Sequence, residues 1–226
     1  MKELEKNIQL LLQVFPMLTE TEKELLLHNC HVVEFNQGET IFKEGTITSH
    51  IYFINHGLIK LVREHKNNRT IVLDIVPDAK FFGFVSLLGA KQYDVTAKAI
   101  EQSSILTIYF DAFKEIMLSN PQFTLQIMTV LSKQNLLIVN HLICISQKQL
   151  PGRVADVLLF FYKLYETTEF AFPIGRRELA EFAGTSKESF IRTLSEFKTD
   201  KIIDILDSRS IQIHSIEILE KLSIYG

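Results

Sequence analysis

Cysteine is almost absent from this chain. Among 226 residues only Cys30 and Cys144 carry thiols, and they lie far apart. Two thiols make no disulfide framework, and a structural zinc or iron–sulfur cluster needs about four suitable ligands. A reduced, cytoplasmic setting is the expectation. Positive charge is not in excess either: 24 Lys and Arg face 27 Asp and Glu, for a net charge of −3. Bulk charge therefore attracts no polyanion, and any surface that does so has to be local. No apolar run reads as long enough to span a membrane. The opening MKELEKNIQ lacks the apolar core of a signal peptide. No membrane partner is expected. Internal repeats and low-complexity segments are missing, as are a nucleophile–base arrangement, a phosphate loop and metal-ligand spacing, so an enzyme is not expected. What is present is a chain 46% hydrophobic, long enough for about two domains with a sizeable core.

Three textures follow one another. Residues 2–14 and 19–28 read as helices, the second opened by the capping signal Thr19-Glu20-Thr21-Glu22. From His31 to Tyr109 short β-rich runs alternate with turns. The candidate strands are Val32–Phe35, Thr40–Phe42, Ile51–Ile54, Leu58–Arg63, Thr70–Ile75, Val95–Ile100 and Ile105–Tyr109; one of the turns is Lys66-Asn67-Asn68. Many short strands at this spacing predict a barrel or a double-sheet roll. A long helix then starts near Pro121 and continues to about Gln147. Met128, Leu131, Asn135, Ile138, Leu142 and Ile145 are spaced alternately three and four apart, which is a dimer-seam pattern. A helix buried within one chain would show the same apolar density. Asn135 favours pairing, since a polar residue at such a position can fix the register of two helices. Pro151-Gly152 reads as a break, followed by a helix from Arg153 to about Tyr165 and a strand at Phe170–Phe172.

The segment Arg176 to Ile203 reads as two short helices joined by a tight turn at Gly184, a residue able to take the positive φ of a sharp turn. Ser186 stands where an N-cap belongs, three residues before Ser189. Phe190, Leu194 and Phe197 form an apolar face. Ile202–Ile205 and Ser210–Ile213 flank Asp207-Ser208-Arg209 as a hairpin, or wing. This pattern is a winged helix-turn-helix, and the partner it implies is double-stranded DNA. The first residues of the second helix would enter the major groove. Glu188 can accept from the amino group of cytosine, and Arg192 can donate bidentately to guanine. Lys187 can serve a base or a phosphate. Arg176, Thr185, Ser186 and Ser189 read as backbone anchors, which set register without reading sequence. The plainer alternative pairs Glu188 with Arg192 as an i,i+4 ion pair worth ~0.3–0.5 kcal/mol.

The order of roll, long helix and winged helix-turn-helix resembles the CRP/FNR family of bacterial transcription regulators, named for the cyclic AMP receptor protein and the fumarate–nitrate regulator. The residues that carry the resemblance are Phe35–Gly45, Ile51–Leu61, Phe81–Leu88, Val95–Leu106, Leu150–Phe161 and Arg176–Phe197. The fold it implies is α+β: a roll with N-terminal helices over residues 1–118, a dimerisation helix over 119–147, and the winged DNA-binding domain over 148–226. It also implies that Lys187, Glu188 and Arg192 occupy base-reading positions and that Arg176 touches phosphate.

In members that bind cyclic nucleotides, a Glu after a Phe-Gly pair holds the ribose and an Arg neutralises the phosphate. Here Phe82-Gly83 is followed by Phe84, and the arginine's place falls on Tyr93-Asp94. A carboxylate repels a phosphate, and only Lys91 is near in sequence to replace the lost charge. Cyclic-nucleotide binding is therefore expected to be lost. Phe82, Gly83, Phe84, Tyr93 and Asp94 are the effector-region candidates. Two readings stay open for the apolar segment around them: a pocket for an apolar ligand or a haem, or a pocket filled by its own side chains. No cofactor is expected. Haem has possible axial ligands in His28, His31, His50, His56, His65 and His141, none of them in a motif. The expected protein is a homodimeric, sequence-specific regulator on an inverted-repeat operator, meeting RNA polymerase if it activates. The alternatives are a regulator responsive to haem or an apolar ligand, and an interaction protein whose winged domain does not bind DNA.

Overall fold

The computed structural model describes residues 2–65 and 69–226; the expected turn Lys66-Asn67-Asn68 lies outside the described residues. The chain divides into two compact units. One holds residues up to 63 together with 73–135; the other holds 136–226 with the described residues of 64–72.

The first unit opens with α1 (Lys2–Val14) and α2 (Glu20–His28). The capping signal forms as read: the Glu22 amide donates to Thr19 Oγ1, and the Thr19 amide donates to the Glu22 carboxylate at 2.8 Å. Among the described residues eight strands follow along the chain, the end of the fourth and the start of the fifth counted with the second unit: β1 (Cys30–Phe35), β2 (Thr40–Phe42), β3 (His50–His56), β4 (Ile59–His65), β5 (Arg69–Val76), β6 (Phe81–Phe82), β7 (Thr96–Ala99) and β8 (Ser103–Tyr109). They form two four-stranded sheets, in the orders β1-β8-β3-β6 and β2-β7-β4-β5. The result is the double-sheet roll that the strand spacing predicts.

Strand β3 shows why its sequence is almost continuously apolar. Side chains alternate across a sheet, and here both faces are covered. Tyr52 and Ile54 join Phe42, Ile59, Phe82, Tyr93 and Ala97 between the two sheets. Ile51 and Phe53 face the other way, into a helical layer. That layer draws Ile8 and Leu11 from α1, Leu26 from α2, Phe84 from α3 (Phe84–Gly89), Phe113 and Ile116 from α4 (Phe110–Ser119), and Phe123 and Ile127 from the start of α5 (Pro121–Gln147).

Strand β6, two residues long, and helices α3 and α4 escape the sequence reading. The residues that precede α3 and α4, Gly83 and Tyr109, offer no side-chain cap. A second correction concerns α5. It contains an 18-residue stretch of mean hydropathy 1.2, long and apolar enough to cross a membrane by length and composition, and only 6% of that stretch is buried. The polar run Ser132-Lys133-Gln134-Asn135 and the pair Asn140-His141 interrupt it, so no unbroken apolar run announces it.

In the second unit α6 spans Leu150–Tyr165, which moves the expected break. Pro151 and Gly152 lie inside the first turn of α6, where a missing amide hydrogen leaves no bond unmade. Gly152 is required by packing. A Cβ there would come within 2.8 Å of the Leu222 carbonyl oxygen and 2.9 Å of that of Gly226, at the end of α9 (Ile216–Tyr225). Helix α9 also escapes the sequence reading. The unit is completed by β9 (Glu169–Ala171), α7 (Arg176–Phe182), α8 (Lys187–Thr199), β10 (Ile203–Ile205) and β11 (Ser210–Ile213). The three strands make an antiparallel sheet in the order β10-β11-β9.

Candidate nucleic-acid interface

Helices α7 and α8 occupy the spans expected of a helix-turn-helix. Gly184 takes φ +63, the left-handed conformation that the turn demands. Its amide donates to the Glu181 carbonyl at 3.1 Å, and the Thr185 amide to that of Ala180 at 2.9 Å. Ser186 caps α8, accepting from the Ser189 amide at 3.2 Å; the two hydroxyls lie 3.1 Å apart. Phe190, Thr193, Leu194 and Phe197 are buried, which turns Lys187, Glu188 and Arg192 outward together. The alternative Glu188–Arg192 pair does not form. Arg192 Nε instead lies 3.9 Å from Glu196 Oε1, one turn further on. Among the described residues Lys187 and Glu188 make no ion pair, and Arg192, with its long contact to Glu196, remains 70% exposed.

The residues expected as backbone anchors differ from one another. Thr185 is half-buried and Ser186 is exposed beside the turn. Arg176 is not a loose surface cation. Its guanidinium carbon sits 5.0 Å from the centroid of the Phe172 ring, and Nη1 is buried without a hydrogen-bond partner among the described residues. Burial lowers its pKa, and the Asp207 carboxylate of the wing partly offsets that. Asp207 also builds the wing turn, accepting from the Arg209 and Ser210 amides at 2.6 and 2.7 Å.

The effector candidates do not converge on one open pocket. Phe82 and Tyr93 belong to a buried aromatic stack with Phe42 and Tyr52. The Phe42 and Tyr93 centroids are 4.0 Å apart with planes 19° from parallel, and Tyr52 and Phe82 are 5.2 Å apart. Tyr93 Oη donates to the His50 carbonyl at 3.0 Å. Gly83, at φ +74, lies under this stack, and a Cβ there would come within 3.1 Å of Tyr52. Phe84 points away, against Phe113 in the helical layer. Asp94 is exposed and accepts from Ser86 Oγ at 2.6 Å. The space between the sheets at these positions is thus occupied by the chain's own rings.

Of the histidines, His28 Nδ1 lies 2.7 Å from the Glu24 carbonyl and His50 Nδ1 lies 2.7 Å from Ser49 Oγ. His31 and His50 both pack on Tyr109, and His141 stacks on Phe182. Among the described residues no three His, Cys, Asp or Glu side chains group as metal ligands would.

Comparison with known proteins agrees with this geometry. Residues 32–120 match the cyclic nucleotide-binding domain family, and residues 152–222 match the Crp-like helix-turn-helix domain family. The chain belongs to the CRP/FNR family of transcription regulators. The CRP-like cAMP-activated global transcriptional regulator of Mycobacterium tuberculosis is 26% identical over 170 residues, covering 73% of this chain and 76% of the relative. The cyclic AMP receptor protein of Thermus thermophilus is 24% identical over 210 residues, covering 93% and 96%. Among solved structures, FixK2 from Bradyrhizobium japonicum superposes with a TM-score of 0.78 at 18% identity, over 87% of this chain and 98% of that one.

Within this CRP/FNR regulator the long helix α5 presents a broader apolar face than the sequence pattern names. Met128, Ile138 and Leu142 are exposed as a seam requires, and so are Leu125, Leu136, Leu137, Val139 and Ile143. Asn135 is exposed with them. Two residues assigned to the seam are half-buried and also serve the chain's own packing. Leu131 packs against the core of the roll, and Ile145 packs against Gly184. Sequence periodicity could not separate these uses, because a helix turns continuously while its neighbours change along its length. Arg153, which bonds to the Gly184 carbonyl, and Glu196, which lies beside Arg192 on α8, also escaped the sequence reading. Their only signal was a charge beside an apolar face.

Proposed function

We propose that this CRP/FNR regulator acts as a homodimer on an inverted-repeat operator, with Lys187, Glu188 and Arg192 reading bases, and that its roll does not bind cyclic AMP or cyclic GMP. The observation that carries the DNA reading is the outward set of Lys187, Glu188 and Arg192 on a capped helix. Thr185, Ser186 and Ser189 add neutral donors at the same end of the helix. The division into a roll over 1–118, a dimer helix over 119–147 and a winged domain over 148–226 follows from this reading, as does a cytoplasmic site of action. RNA polymerase becomes a partner if the protein activates.

The exposed apolar face of α5 supports pairing of two copies. A contiguous apolar surface on a water-exposed helix is stabilised by burial against another. Two recognition helices held by such a pair would meet major grooves about 34 Å apart. Sedimentation of the purified protein should give a species of two chains, and a monomer at micromolar concentration would overturn the pairing.

Loss of cyclic-nucleotide binding rests on Asp94 and Phe84. The relative from Mycobacterium tuberculosis is described as cAMP-activated. Here a carboxylate stands where a phosphate would need a cation, and the aromatic stack fills the space beside it. Losing one charge-assisted contact costs roughly 1.5–3 kcal/mol, and the added repulsion works in the same direction. Calorimetric titration with either nucleotide should show no binding at micromolar concentrations. Selection from random DNA tests the other half: the recovered sites should be inverted repeats with a G·C pair in each half-site. Recovery of no preferred sequence would sink the base-reading assignment.

A further inference from the structure

The turn of the helix-turn-helix is held from outside by two residues, both within residues 136–226. On one side Ile145, near the end of α5, lies against the Gly184 backbone. A Cβ on Gly184 would stand 3.0 Å from Ile145 Cγ2 and 3.1 Å from Cγ1. On the other side Arg153, in the first turns of α6, donates from Nη1 to the Gly184 carbonyl oxygen at 2.8 Å. That carbonyl belongs to the peptide leading into Thr185 and the cap Ser186, so it lies three residues from Lys187 and four from Glu188. Arg153 Nε is buried with no hydrogen-bond partner among the described residues. A buried donor left unbonded is costly. The guanidinium is therefore held in place by what Nη1 and its stem achieve.

We infer that Arg153 is a positioning residue for DNA recognition: with Ile145 it fixes the peptide plane of Gly184, and through it the direction in which α8 presents Lys187, Glu188 and Arg192. The inference rests on the base-reading assignment of those three residues. A planar guanidinium suits the role, because it orients a carbonyl while its stem packs along the helix. Base readout tolerates little misalignment. Bidentate bonds weaken steeply once donor and acceptor leave their common plane, so a loosened turn should weaken specific binding more than non-specific binding.

The test uses the full chain and duplexes selected from random DNA by the wild-type protein, with a scrambled duplex as comparison. Arg153→Met should lower affinity for the selected duplex about ten-fold, the equivalent of one charge-assisted hydrogen bond, and leave the scrambled duplex nearly unchanged. The dependence of log K on log salt should keep its slope, since no phosphate contact is lost. Arg153→Lys should restore most of the loss by offering one donor to the same carbonyl. Ile145→Ala, which touches no charge, should reproduce the selective loss. Amide exchange at Thr185 and Ser186 should quicken in both weakened variants while the buried strands of the wing stay protected.

Unchanged affinity of Arg153→Met for the selected duplex would overturn the inference. So would a loss shared by both duplexes with a shallower salt slope, which would make Arg153 a phosphate anchor. Arg192→Ala is measured alongside. If it leaves the selected duplex unaffected, the base-reading assignment itself has failed, an outcome separate from any result at position 153.

Discussion

Replacement of Arg192 by alanine should separate DNA reading from stability. The side chain is 70% exposed and its nearest carboxylate, Glu196, is 56% exposed at 3.9 Å. An exposed pair at that distance contributes at most ~0.5 kcal/mol, and alanine recovers part of this through its higher helix propensity. The urea midpoint should therefore barely move. Binding should change far more. One bidentate contact to guanine is worth about 1–3 kcal/mol of discrimination, which is about 5- to 150-fold per half-site. Two half-sites acting independently lose about 2–6 kcal/mol together. The assay is fluorescence anisotropy with a selected duplex and with duplexes in which the G·C pair of one or both half-sites becomes A·T. Wild-type protein should lose affinity stepwise across the three, whereas the variant should bind all three alike. Arg176→Ala should behave differently, weakening every duplex and lowering the salt slope by about one. If the Arg192 variant still preferred G·C at that pair, another side chain would be the reader. If its urea midpoint fell by more than ~1 kcal/mol equivalent, the residue would be part of the fold.

Other outcomes follow from the same structure. Gly184→Ala should lower stability by about 1–2 kcal/mol from the left-handed backbone alone, with a further loss from contact with Ile145; urea unfolding would measure it, and an unchanged midpoint would contradict the turn geometry. His50 and His141 both titrate below the ordinary imidazole range of 6.5, because burial disfavours the charged ring. His31 adds to this at His50, and Asp156 partly offsets it at His141. Unfolded chains then bind more protons than folded ones just below pH 6.5, so the stability these rings contribute is complete above that pH and is lost as pH falls through the folded values. Urea midpoints at pH 7.5 and 5.5 should show the drop, and His50→Gln with His141→Gln should shrink it. Burial pushes the Cys30 thiol up to about 11 and, with the Asp156 carboxylate beside it, Cys144 up to about 12. Both should alkylate slowly at pH 8 in the folded protein and rapidly in urea; fast labelling of native Cys144 would contradict its bond to Asp156.

The helix-turn-helix was legible in sequence because its signals are local. A cap at Ser186, a glycine in the turn and apolar residues at Phe190, Leu194 and Phe197 act within a few residues of one another. The capping box at Thr19 and every strand of the roll except β6 were legible for the same reason. The short elements without caps were not: α3 and α4 are helical because Phe84, Phe113 and Ile116 find a common core, which no local pattern declares.

Sequence by itself determined the order of roll, long helix and winged domain, the residues that α8 offers outward, and the acidic rather than basic residue at position 94. Each depends on residue type and short-range spacing. Tertiary structure alone decided how the rest is used. It put Phe42, Tyr52, Phe82 and Tyr93, drawn from four separate segments, into one stack between the sheets. It turned Leu131 and Ile145 inward from a helix whose other apolar residues face outward. It also brought Arg153 across 31 positions to the carbonyl of Gly184. Spacing along a chain specifies which face of an element is apolar; only packing specifies what that face meets.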